Sequence, residues 1–328
     1  MLNKTYIIAE IGINHEGDVG VCEQMITAAA ESGVDAVKLQ TINADANYVN
    51  GSESYNIFKG SELTQEETSR MFQLARKCNL DIFTTAGDIE TIAWVNQLNP
   101  SHWKISSGLL THIPIVSHLA SLGKPLLVST GMASIDDIDL AIETIKSNSN
   151  NDISLLQCTS IYPTPTEDIN LSTINWLSDR YGFPVGFSDH SLGDDAVFLS
   201  IGAGASIIEK HLSLDISRPG FDHKISLDTA GFTKMVSRVR LAEKMMGSGE
   251  KTVTKSISLT RDKYLRYIAA LQPIKLGDIF SHSNLGVKRS VVGISGIEPK
   301  FYEDIIGCSS LANIKADQLI QLSDVEDA

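Results

Sequence analysis

The sequence predicts an α/β fold, a (β/α)8 TIM barrel followed by a small, mainly β domain. Two observations lead to this prediction. Short apolar runs alternate with helical segments eight times along the first three quarters of the chain. After Met246 the alternation of strands and helices stops. The segment 247–251 has the composition of a linker, and short β-like runs with turn signals follow it. We therefore predict a barrel domain at 1–246, a linker at 247–262 and a second domain at 263–328.

The eight apolar runs fit buried parallel strands, because each is short and is followed by a segment of helical period. The predicted strands lie at 6–11, 36–40, 80–84, 102–105, 125–129, 153–158, 185–187 and 205–208. The predicted helices lie at 19–32, 64–78, 88–97, 113–122, 134–146, 171–180, 194–203 and 229–246. A doubly wound open sheet is the alternative, but near-equal units over about 250 residues favour the closed barrel.

Local signals sharpen some of these elements. Thr64 is the expected N-cap of the helix at 64–78, and Glu67 three residues later completes a capping box. The stretch at 41–63 is predicted to be a long loop. In the second domain, β-like runs lie at 267–271, 274–278, 285–288 and 319–322. The first of a weakly repeated pair of sequences begins at Ile274 and the second at Ile314.

The composition excludes several classes of function. A net charge of −13 argues against nucleic-acid binding, and no Lys/Arg run indicates an anionic membrane surface. The first residues lack the apolar core of a signal peptide, and no apolar run has the length of a transmembrane helix. The four cysteines form no CxxC pair, so we expect reduced thiols and a cytoplasmic location.

Polar residues fall repeatedly at the ends of the predicted strands, where the chemistry of a parallel barrel is done. They are Glu10, Lys38, Gln40, Lys104, Ser107, Ser129, Tyr162, Ser188, Asp189, His190, Glu209 and His211. Lys38 and Lys104 together with serine hydroxyls indicate a phosphate or carboxylate ligand. The alternative is that each lysine pairs with a local carboxylate such as Glu10 or Glu209, and the residues alone do not decide between the two.

His190 and His211 end two neighbouring strands and could share one metal ion. Two ligands do not complete a site, so water, a substrate oxygen or a carboxylate would have to supply the remainder. The alternative is a pair of hydrogen-bonded histidines without metal, which is the commoner role of a histidine at a strand end.

The motifs, taken in order over nearly the whole chain, resemble the bacterial sialic acid synthases. They are AEIGINH at 9–15, VKLQ at 37–40, KISSG at 104–108, STGM at 129–132, YPTP at 162–165, GFSDH at 186–190 and IEKH at 208–211. The tail resembles the antifreeze-like (SAF) domain of those enzymes through IKLGD at 274–278 and VKR at 287–289.

The resemblance implies a transferase that condenses phosphoenolpyruvate with an N-acetylated aldose, typically N-acetylmannosamine, to a nonulosonic acid and phosphate for cell-surface glycans. It implies that Lys38, Lys104, Ser107, Ser129 and Ser188 hold phosphoenolpyruvate. It implies that Glu10, Gln40, Tyr162 and Asp222 face the sugar. Glu10 or Glu209 would handle protons.

The resemblance also implies that His190 and His211 bind Mn²⁺ or another divalent cation such as Mg²⁺ or Co²⁺. The metal would polarise the aldehyde oxygen of the open-chain sugar. Arg289 of the tail would reach the sugar in a partner subunit's barrel, which makes a domain-swapped homodimer the expected assembly.

Departures from the family pattern fall where the sugar would lie. Leu109 stands where the family usually has an acidic residue, and TTAGD at 84–88 replaces the common STPFD. Ser160, Tyr267 and Ser290 are further departures. The acceptor is therefore open, with legionaminic- and pseudaminic-type precursors as candidates. Another metal-dependent, phosphoenolpyruvate-using barrel aldolase and a non-catalytic sugar-phosphate-binding homologue are the alternative functions.

Overall fold

The computed structural model describes residues 4–220, 222–291 and 293–326. The chain folds as two units, Met1–Ser248 and Gly249–Ala328. Within the described residues of the first unit, eight parallel strands pair in sequence order and the eighth pairs with the first, so the sheet closes. The strands are β1 (Tyr6–Gly12), β2 (Ala36–Gln40), β3 (Asp81–Thr85), β4 (Trp103–Ile105), β5 (Leu126–Ser129), β6 (Ile153–Cys158), β7 (Val185–Asp189) and β8 (Ile207–His211). The predicted TIM barrel is confirmed, and the open sheet is excluded.

Helices follow the strands and cover the outside of the barrel. They are α1 (Val19–Glu31), α2 (Ala44–Asn47), α3 (Glu53–Gly60), α4 (Gln65–Lys77), α5 (Ile89–Gln97), α6 (Ile113–Ser121), α7 (Ile135–Ser147), α8 (Thr173–Tyr181), α9 (Asp195–Gly202) and α10 (Thr229–Met246). The capping box that was predicted at Thr64 is confirmed, since Thr64 and Glu67 bond each other's backbone N–H groups.

The stretch at 41–63 is not the continuous loop that the sequence predicted. It contains α2 and α3, whose first turns are capped by the side chains of Asn43 and Ser52. Neither helix has the buried apolar stripe that reveals a helix in a sequence, because α2 is four residues long and α3 contains no fully buried residue.

Successive side chains of each strand point alternately into and out of the barrel. The inner set forms a closed apolar layer of Ile8, Ala36, Phe83, Leu127, Leu156 and Ile207. The outer set packs against the helices in the main core, with Trp103 fully buried. Beyond this apolar layer, toward the carboxyl ends of the strands, most of the next inward positions carry charged or polar groups such as Glu10, Lys38 and Glu209.

Strand β8 begins and ends later than the sequence predicted. The prediction stopped at Ile208 because Glu209, Lys210 and His211 are polar, but all three are paired strand residues. Strand β7 likewise continues through Ser188 and Asp189. The apolar pattern of each strand ends where the polar residues begin, so the sequence predicts an early strand end. The backbone nevertheless continues in the sheet, because the inward polar side chains contact one another and not the apolar core.

A buried ion pair joins β7 and β8 on the outer face of the barrel. Lys210 Nζ lies 2.8 Å from Asp189 Oδ2, and the two side chains are 0% and 1% exposed. Lys210 also donates to the carbonyl of Ser191 at 2.5 Å, while Asp189 accepts from the Ser191 N–H at 2.8 Å. The pair therefore fixes both strands and the loop between them, on either side of His190.

In the second unit, β9 (Arg266–Ala270) pairs antiparallel with β10 (Leu285–Arg289). A separate core is built around Ile268, Phe280 and Ile320. The helices here are α11 (Lys255–Tyr264) and α12 (Tyr302–Ile305). Helix α11 therefore occupies part of the stretch that was predicted to be a linker, with Thr254 as its N-cap.

The weak repeat of the second unit is structural. Ile274 and Ile314 pair with each other in an antiparallel bridge. Each begins the same turn, in which the third residue after it has positive φ, +86° at Gly277 and +65° at Asp317. Among the described residues, no helix is both long enough and apolar enough to span a membrane.

Replacing Lys210 by methionine leaves Asp189 as a buried carboxylate without a cationic partner. We expect Lys210→Met to lower the free energy of unfolding by about 3–5 kcal/mol, measured by urea denaturation. The control is Lys244→Met at an exposed position of α10, which should change the stability by less than about 0.5 kcal/mol. The double variant Lys210→Met/Asp189→Leu should regain most of the loss. If Lys210→Met and the control Lys244→Met changed the free energy of unfolding equally, a structural role for the Lys210–Asp189 pair would be contradicted.

Candidate active site

A polar cavity of about 280 Å³, here called the active cavity, lies at the carboxyl ends of the barrel strands. It is lined by eleven of the residues that the sequence singled out: Glu10, Lys38, Gln40, Lys104, Ser107, Ser129, Tyr162, Ser188, His190, Glu209 and His211. They come from β1, β2, β4, β5, β6, β7 and β8 and their loops. The closed sheet therefore brings together side chains that are up to two hundred residues apart.

Two lysines and two glutamates form a buried charge cluster in this cavity. Lys38 Nζ lies 2.7 Å from Glu10 Oε2 and 3.6 Å from Glu209 Oε2. Lys104 Nζ lies 3.1 Å from Glu209 Oε1. All four side chains are at most 3% exposed. Each lysine therefore pairs with a local carboxylate, which is one of the two possibilities that the sequence left open. The ion pairs also line a cavity that an anion could enter.

The two glutamates of the cluster have pKa values that are shifted in opposite directions. Burial raises the pKa of Glu10, although the ammonium of Lys38 opposes the shift. Burial would do the same to Glu209, but Lys104, Lys38 and the Ser188 hydroxyl hold the pKa of Glu209 below its ordinary value. Glu10 therefore takes up a proton more readily than Glu209 does. Two ammonium groups then face one carboxylate, which leaves positive charge for an anionic ligand.

The serines of the cavity differ in their bonding. Ser188 Oγ donates to Glu209 at 2.8 Å, and Ser107 Oγ accepts from the Gly131 N–H at 2.9 Å. Ser129 Oγ is buried without a hydrogen-bond partner among the described residues. A buried hydroxyl without a partner is uncommon and costs free energy, so Ser129 Oγ is available to a ligand in the cavity.

Gly131 has no room for a side chain. An added Cβ would lie 2.7 Å from Ser160 Oγ and 2.9 Å from both Cys158 Sγ and Ser107 Oγ. The STG motif thus needs its glycine so that the backbone after β5 can approach these three groups.

His190 is held in a defined tautomer. Its Nδ1 lies 3.0 Å from the Thr159 carbonyl, which can only accept, so Nδ1 carries the proton. Its Nε2 lies 3.1 Å from the Tyr162 hydroxyl, and the two rings stack at 4.2 Å. Burial would lower the pKa of His190, but Cys158 and the Thr159 carbonyl hold it above its ordinary value. His190 is therefore hydrogen-bonded, as the alternative to a metal ligand predicted.

His211 lies beside His190, with 5.4 Å between the ring centroids. Burial, with His190 and Lys38 nearby, holds the pKa of His211 well below its ordinary value, so the ring is neutral. Its buried Nδ1 has no hydrogen-bond partner among the described residues and lies 3.6 Å from Asp222 Oδ2. The predicted sugar contact Asp222 thus lies next to the cavity, and burial raises its pKa to about 6.

The histidine pair suits a divalent cation in part. Neutral imidazole is the form that binds metal, and His211 Nδ1 is an orphaned buried donor of electrons. Within the described part of the chain, no group of three or more His, Cys, Asp or Glu side chains is arranged as a complete set of metal ligands. Water or substrate oxygens would have to complete the coordination, as the sequence led us to expect.

Gly12 shapes the rim next to Glu10. The register of β1 against β2 shifts between Glu10 and Gly12, and Gly12 has a φ of +54°. A Cβ there would lie 3.1 Å from Glu10 Oε1 and 3.2 Å from Asp222 Oδ2. The glycine of AEIGINH therefore leaves room for both carboxylate oxygens beside the strand end.

Some lining residues were not identified as site residues from the sequence. Cys158 ends β6 and lines the cavity with its Sγ 3.7 Å from His190 Nδ1. Burial would raise the pKa of Cys158, but His190 and Lys104 hold it below its ordinary value. Its position at a strand end was the available signal. Arg289, the remaining predicted site residue, lies on β10 of the second unit, with its guanidinium 5.4 Å from the Tyr264 ring.

Two family models match the chain. The NeuB family model matches residues 25–251, which is well over half of the sequence, and the SAF domain model matches residues 266–326. The chain belongs to the NeuB family. The predicted resemblance to sialic acid synthases, and to their SAF domain, is confirmed by these matches.

Relatives of this NeuB-family chain include synthases of legionaminic acid and of pseudaminic acid. It is 34% identical to the N,N'-diacetyllegionaminic acid synthase of Campylobacter jejuni over 98% of this chain and 100% of that protein. It is 32% identical to the pseudaminic acid synthase of Campylobacter jejuni over 98% of this chain and 97% of that protein.

A solved structure of the family superposes on the chain. It is the N-acetylneuraminic acid (sialic acid) synthetase from Leptospira borgpetersenii in complex with citrate, with a TM-score of 0.76 at 31% identity. The match covers 80% of this chain and 93% of that one. The protein is therefore an enzyme of the sialic acid synthase type.

Proposed function

We propose that this enzyme condenses phosphoenolpyruvate with an N-acetylated aldose, giving a nine-carbon 2-keto acid and phosphate for cell-surface glycan precursors. The observation that supports it most is the active cavity, where Lys38 and Lys104 lie buried beside the unpartnered hydroxyl of Ser129. Glu10 and Glu209 pair with both ammonium groups, so the support for an anion comes from the cavity beside these pairs and from the buried Ser129 hydroxyl, which has no partner among the described residues. Phosphoenolpyruvate carries a phosphate and a carboxylate in a small volume.

In the proposed reaction, C3 of phosphoenolpyruvate attacks the aldehyde carbon of the open-chain sugar and a carbon–carbon bond forms. The sugar oxygen takes a proton, and positive charge develops at C2 of the former phosphoenolpyruvate. Water adds at C2 and loses a proton. The C–O bond to phosphate then breaks while the C2 hydroxyl proton passes to the departing phosphate, which leaves the 2-keto acid. The chain's role is to bind the anion, exclude bulk water and move two protons.

Named residues fit these roles. Lys38, Lys104, Ser107, Ser129 and Ser188 are proposed to hold the phosphate and carboxylate groups. Glu10 and Glu209 are the carboxylates in the cavity, so we propose that they transfer the protons. Tyr162 lies beside His190, Asp222 lies beside His211, and Gln40 lies beside Glu10. We propose that Gln40, Tyr162 and Asp222 orient the sugar. Gln40 Nε2 already donates to Glu10 Oε1 at 3.2 Å, which ties the sugar side to the proton-transfer group.

The proposed metal is Mn²⁺ or another divalent cation such as Mg²⁺ or Co²⁺, held by His190 and His211. When bound there, it would supply Lewis-acid polarisation of the aldehyde oxygen. We further propose a homodimer in which Arg289 of one subunit reaches the sugar in the barrel of its partner. The cytoplasmic location that was predicted from the sequence remains a prediction.

Phosphate release is the direct test of this reaction. The protein is incubated with phosphoenolpyruvate, Mn²⁺ and a panel of N-acetylated hexoses, and released phosphate and the keto-acid product are measured. We expect release that requires both a sugar and the metal. His190→Ala and His211→Ala should lower the rate to below about one hundredth of wild type, because each removes a proposed metal ligand.

His282→Ala is the matched control, since His282 is exposed in the second unit. Tight phosphoenolpyruvate binding without release for any sugar would favour a non-catalytic binder over the synthase. Consumption of pyruvate in place of phosphoenolpyruvate would favour an aldolase. Unchanged activity of both histidine variants would remove the metal from the proposal.

The role of Arg289 across a dimer is tested by mixing two inactive variants. Arg289→Ala should lose sugar use while retaining phosphoenolpyruvate binding, and Lys38→Ala should lose activity because the anion site is incomplete. When the two are unfolded together and refolded, mixed dimers hold one barrel with Lys38 intact that receives Arg289 from its partner. We expect about a quarter of wild-type activity at most, from random pairing of subunits. Absence of any recovery would contradict the swapped arrangement.

A further inference from the structure

The loop between β8 and α10 carries Asp222 to the edge of the active cavity. The loop leaves the barrel after His211, and its residues 214–220 are exposed. Farther along the loop, Asp222 and His223 are buried at the barrel mouth. Asp222 Oδ2 there lies 3.6 Å from His211 Nδ1. The contacts that fix this buried part of the loop therefore fix the position of the Asp222 carboxylate.

The base of this loop is anchored inside the protein. Asn14 Nδ2 donates to the Leu212 carbonyl at 2.8 Å and to Ser226 Oγ at 2.9 Å. Ser226 Oγ in turn donates to the carbonyl of Asp222. Asn14, Leu212 and Ser226 are all buried, so these hydrogen bonds belong to the interior of the barrel domain. They join the two ends of the loop to each other and to the turn after β1.

A second set of contacts, here called the Glu16 network, attaches the loop nearer to the solvent. Glu16 Oε1 lies 2.7 Å from His223 Nε2, and Glu16 Oε2 lies 2.6 Å from Arg218 Nη2. On its other side, His223 Nδ1 lies 2.8 Å from Ser213 Oγ. One carboxylate thus bonds both the exposed part of the loop and the buried residue that follows Asp222.

Glu16 stands on a hydrogen-bonded turn between β1 and α1. Its N–H donates to the Ile13 carbonyl at 2.8 Å, and the N–H of Asp18 donates to the His15 carbonyl at 2.8 Å. Glu16 has a φ of +50°, a left-handed conformation that is uncommon for a residue other than glycine. The turn after β1 therefore presents the carboxylate, and the loop after β8 is the partner that the carboxylate holds.

The two contacts of Glu16 differ in strength. The side chains of Glu16 and Arg218 are 40% and 42% exposed, so water and salt weaken this ion pair. The side chain of His223 is only 4% exposed, and a hydrogen bond to a charged group is among the stronger kinds. The contact with His223 is therefore the one that decides where the loop lies.

We propose that Glu16 is a positioning residue, which places Asp222 for the acceptor sugar by holding His223 at the barrel mouth. The inference rests on the proposed synthase function, in which Asp222 orients the sugar. Glu16 acts through the backbone that joins His223 to Asp222. The groups that are proposed to bind phosphoenolpyruvate stand on other elements, so the Glu16 network affects use of the sugar and not binding of the anion.

Steady-state kinetics in which each substrate is varied in turn test this role. The sugar is the N-acetylated hexose of the panel from which wild type releases phosphate fastest. In Glu16→Ala we expect the KM for the sugar to rise by about three- to tenfold, while the KM for phosphoenolpyruvate changes by less than about twofold. Glu16→Gln keeps an oxygen that accepts from His223 and should restore most of the wild-type KM.

Two further variants separate the contacts of this network from a general effect of charge. Arg218→Met should raise the KM for the sugar less than Glu16→Ala does, because it removes only the exposed ion pair. Glu31→Ala, at an exposed position of α1, is the matched control and should leave both KM values unchanged. An unchanged KM for the sugar in Glu16→Ala, or an equal rise of both KM values, would overturn the proposal.

A double-mutant cycle shows whether Glu16 acts through Asp222. Asp222→Asn should raise the KM for the sugar, and Glu16→Ala/Asp222→Asn should raise it no further than Asp222→Asn does alone. Fold changes that multiply in the double variant would show that Glu16 acts elsewhere and would overturn the proposal. No effect of Asp222→Asn on the sugar would overturn it as well.

Amide hydrogen exchange tests the network without turnover. The N–H of Asp215 donates to Ser213 Oγ, and the N–H of Ser226 donates to the His223 carbonyl. Glu16→Ala should speed exchange at both amides and leave the amides of β8 unchanged, because the barrel itself is intact.

If a variant with Asp222→Asn is too slow for kinetics, this exchange and the KM values of Glu16→Ala decide. Unchanged exchange in the loop would overturn the proposal while the synthase function stands. No phosphate release by wild type with any sugar would instead overturn the proposed function itself, and the exchange would still show whether Glu16 holds the loop.

Discussion

The buried cluster of Lys38, Glu10, Lys104 and Glu209 is the interaction on which the rest of the barrel mouth depends. Desolvating each charge costs several kcal/mol, so the four must stay within reach of one another. They stand on β1, β2, β4 and β8, and the closed sheet is what holds those strands at fixed separations. A barrel that opened or slipped register would leave charges unpaired in a dry interior. The polar end of the barrel is therefore a strong constraint on the register of its strands.

The cluster also explains how the cavity can bury charges without a ligand and still bind an anion. In the absence of a ligand, the lysines are satisfied by carboxylates that lie 2.7 and 3.1 Å away. The raised pKa of Glu10 means that this carboxyl gives up its charge more easily than Glu209 does, and one ammonium is then free to face a ligand. Around the cluster, Ser129 Oγ, Gln40 Oε1 and His211 Nδ1 are buried without partners among the described residues. Buried polar groups without partners lower stability, and the proposed function accounts for these three as groups that a bound substrate or metal would satisfy.

Much of this arrangement could be predicted from the sequence. The eight strands follow from apolar runs, and the polar residues at their ends could be assigned to one mouth because parallel strands of a barrel share a direction. The pairing of each lysine could not be assigned, because Lys104 and Glu209 are distant in sequence and meet only through closure of the sheet. The ends of β7 and β8 were placed too early for a related reason, since Ser188 and Glu209 read as loop residues until their partners are known. The small helices α2 and α3 lack an amphipathic pattern, so the sequence predicted a loop where these two helices form.

Binding of phosphoenolpyruvate to wild type and to Ser129→Ala, measured by isothermal titration calorimetry with thermal melts of both proteins, tests the anion site most directly. Ser129 Oγ makes no hydrogen bond to the described residues, so we expect its removal to leave the melting temperature unchanged or slightly higher. A hydrogen bond to a charged group is worth about 1.5–3 kcal/mol, so the variant should bind phosphoenolpyruvate at least about tenfold more weakly. Equal affinities of the two proteins, or no binding by wild type, would contradict the assignment of this cavity to phosphoenolpyruvate.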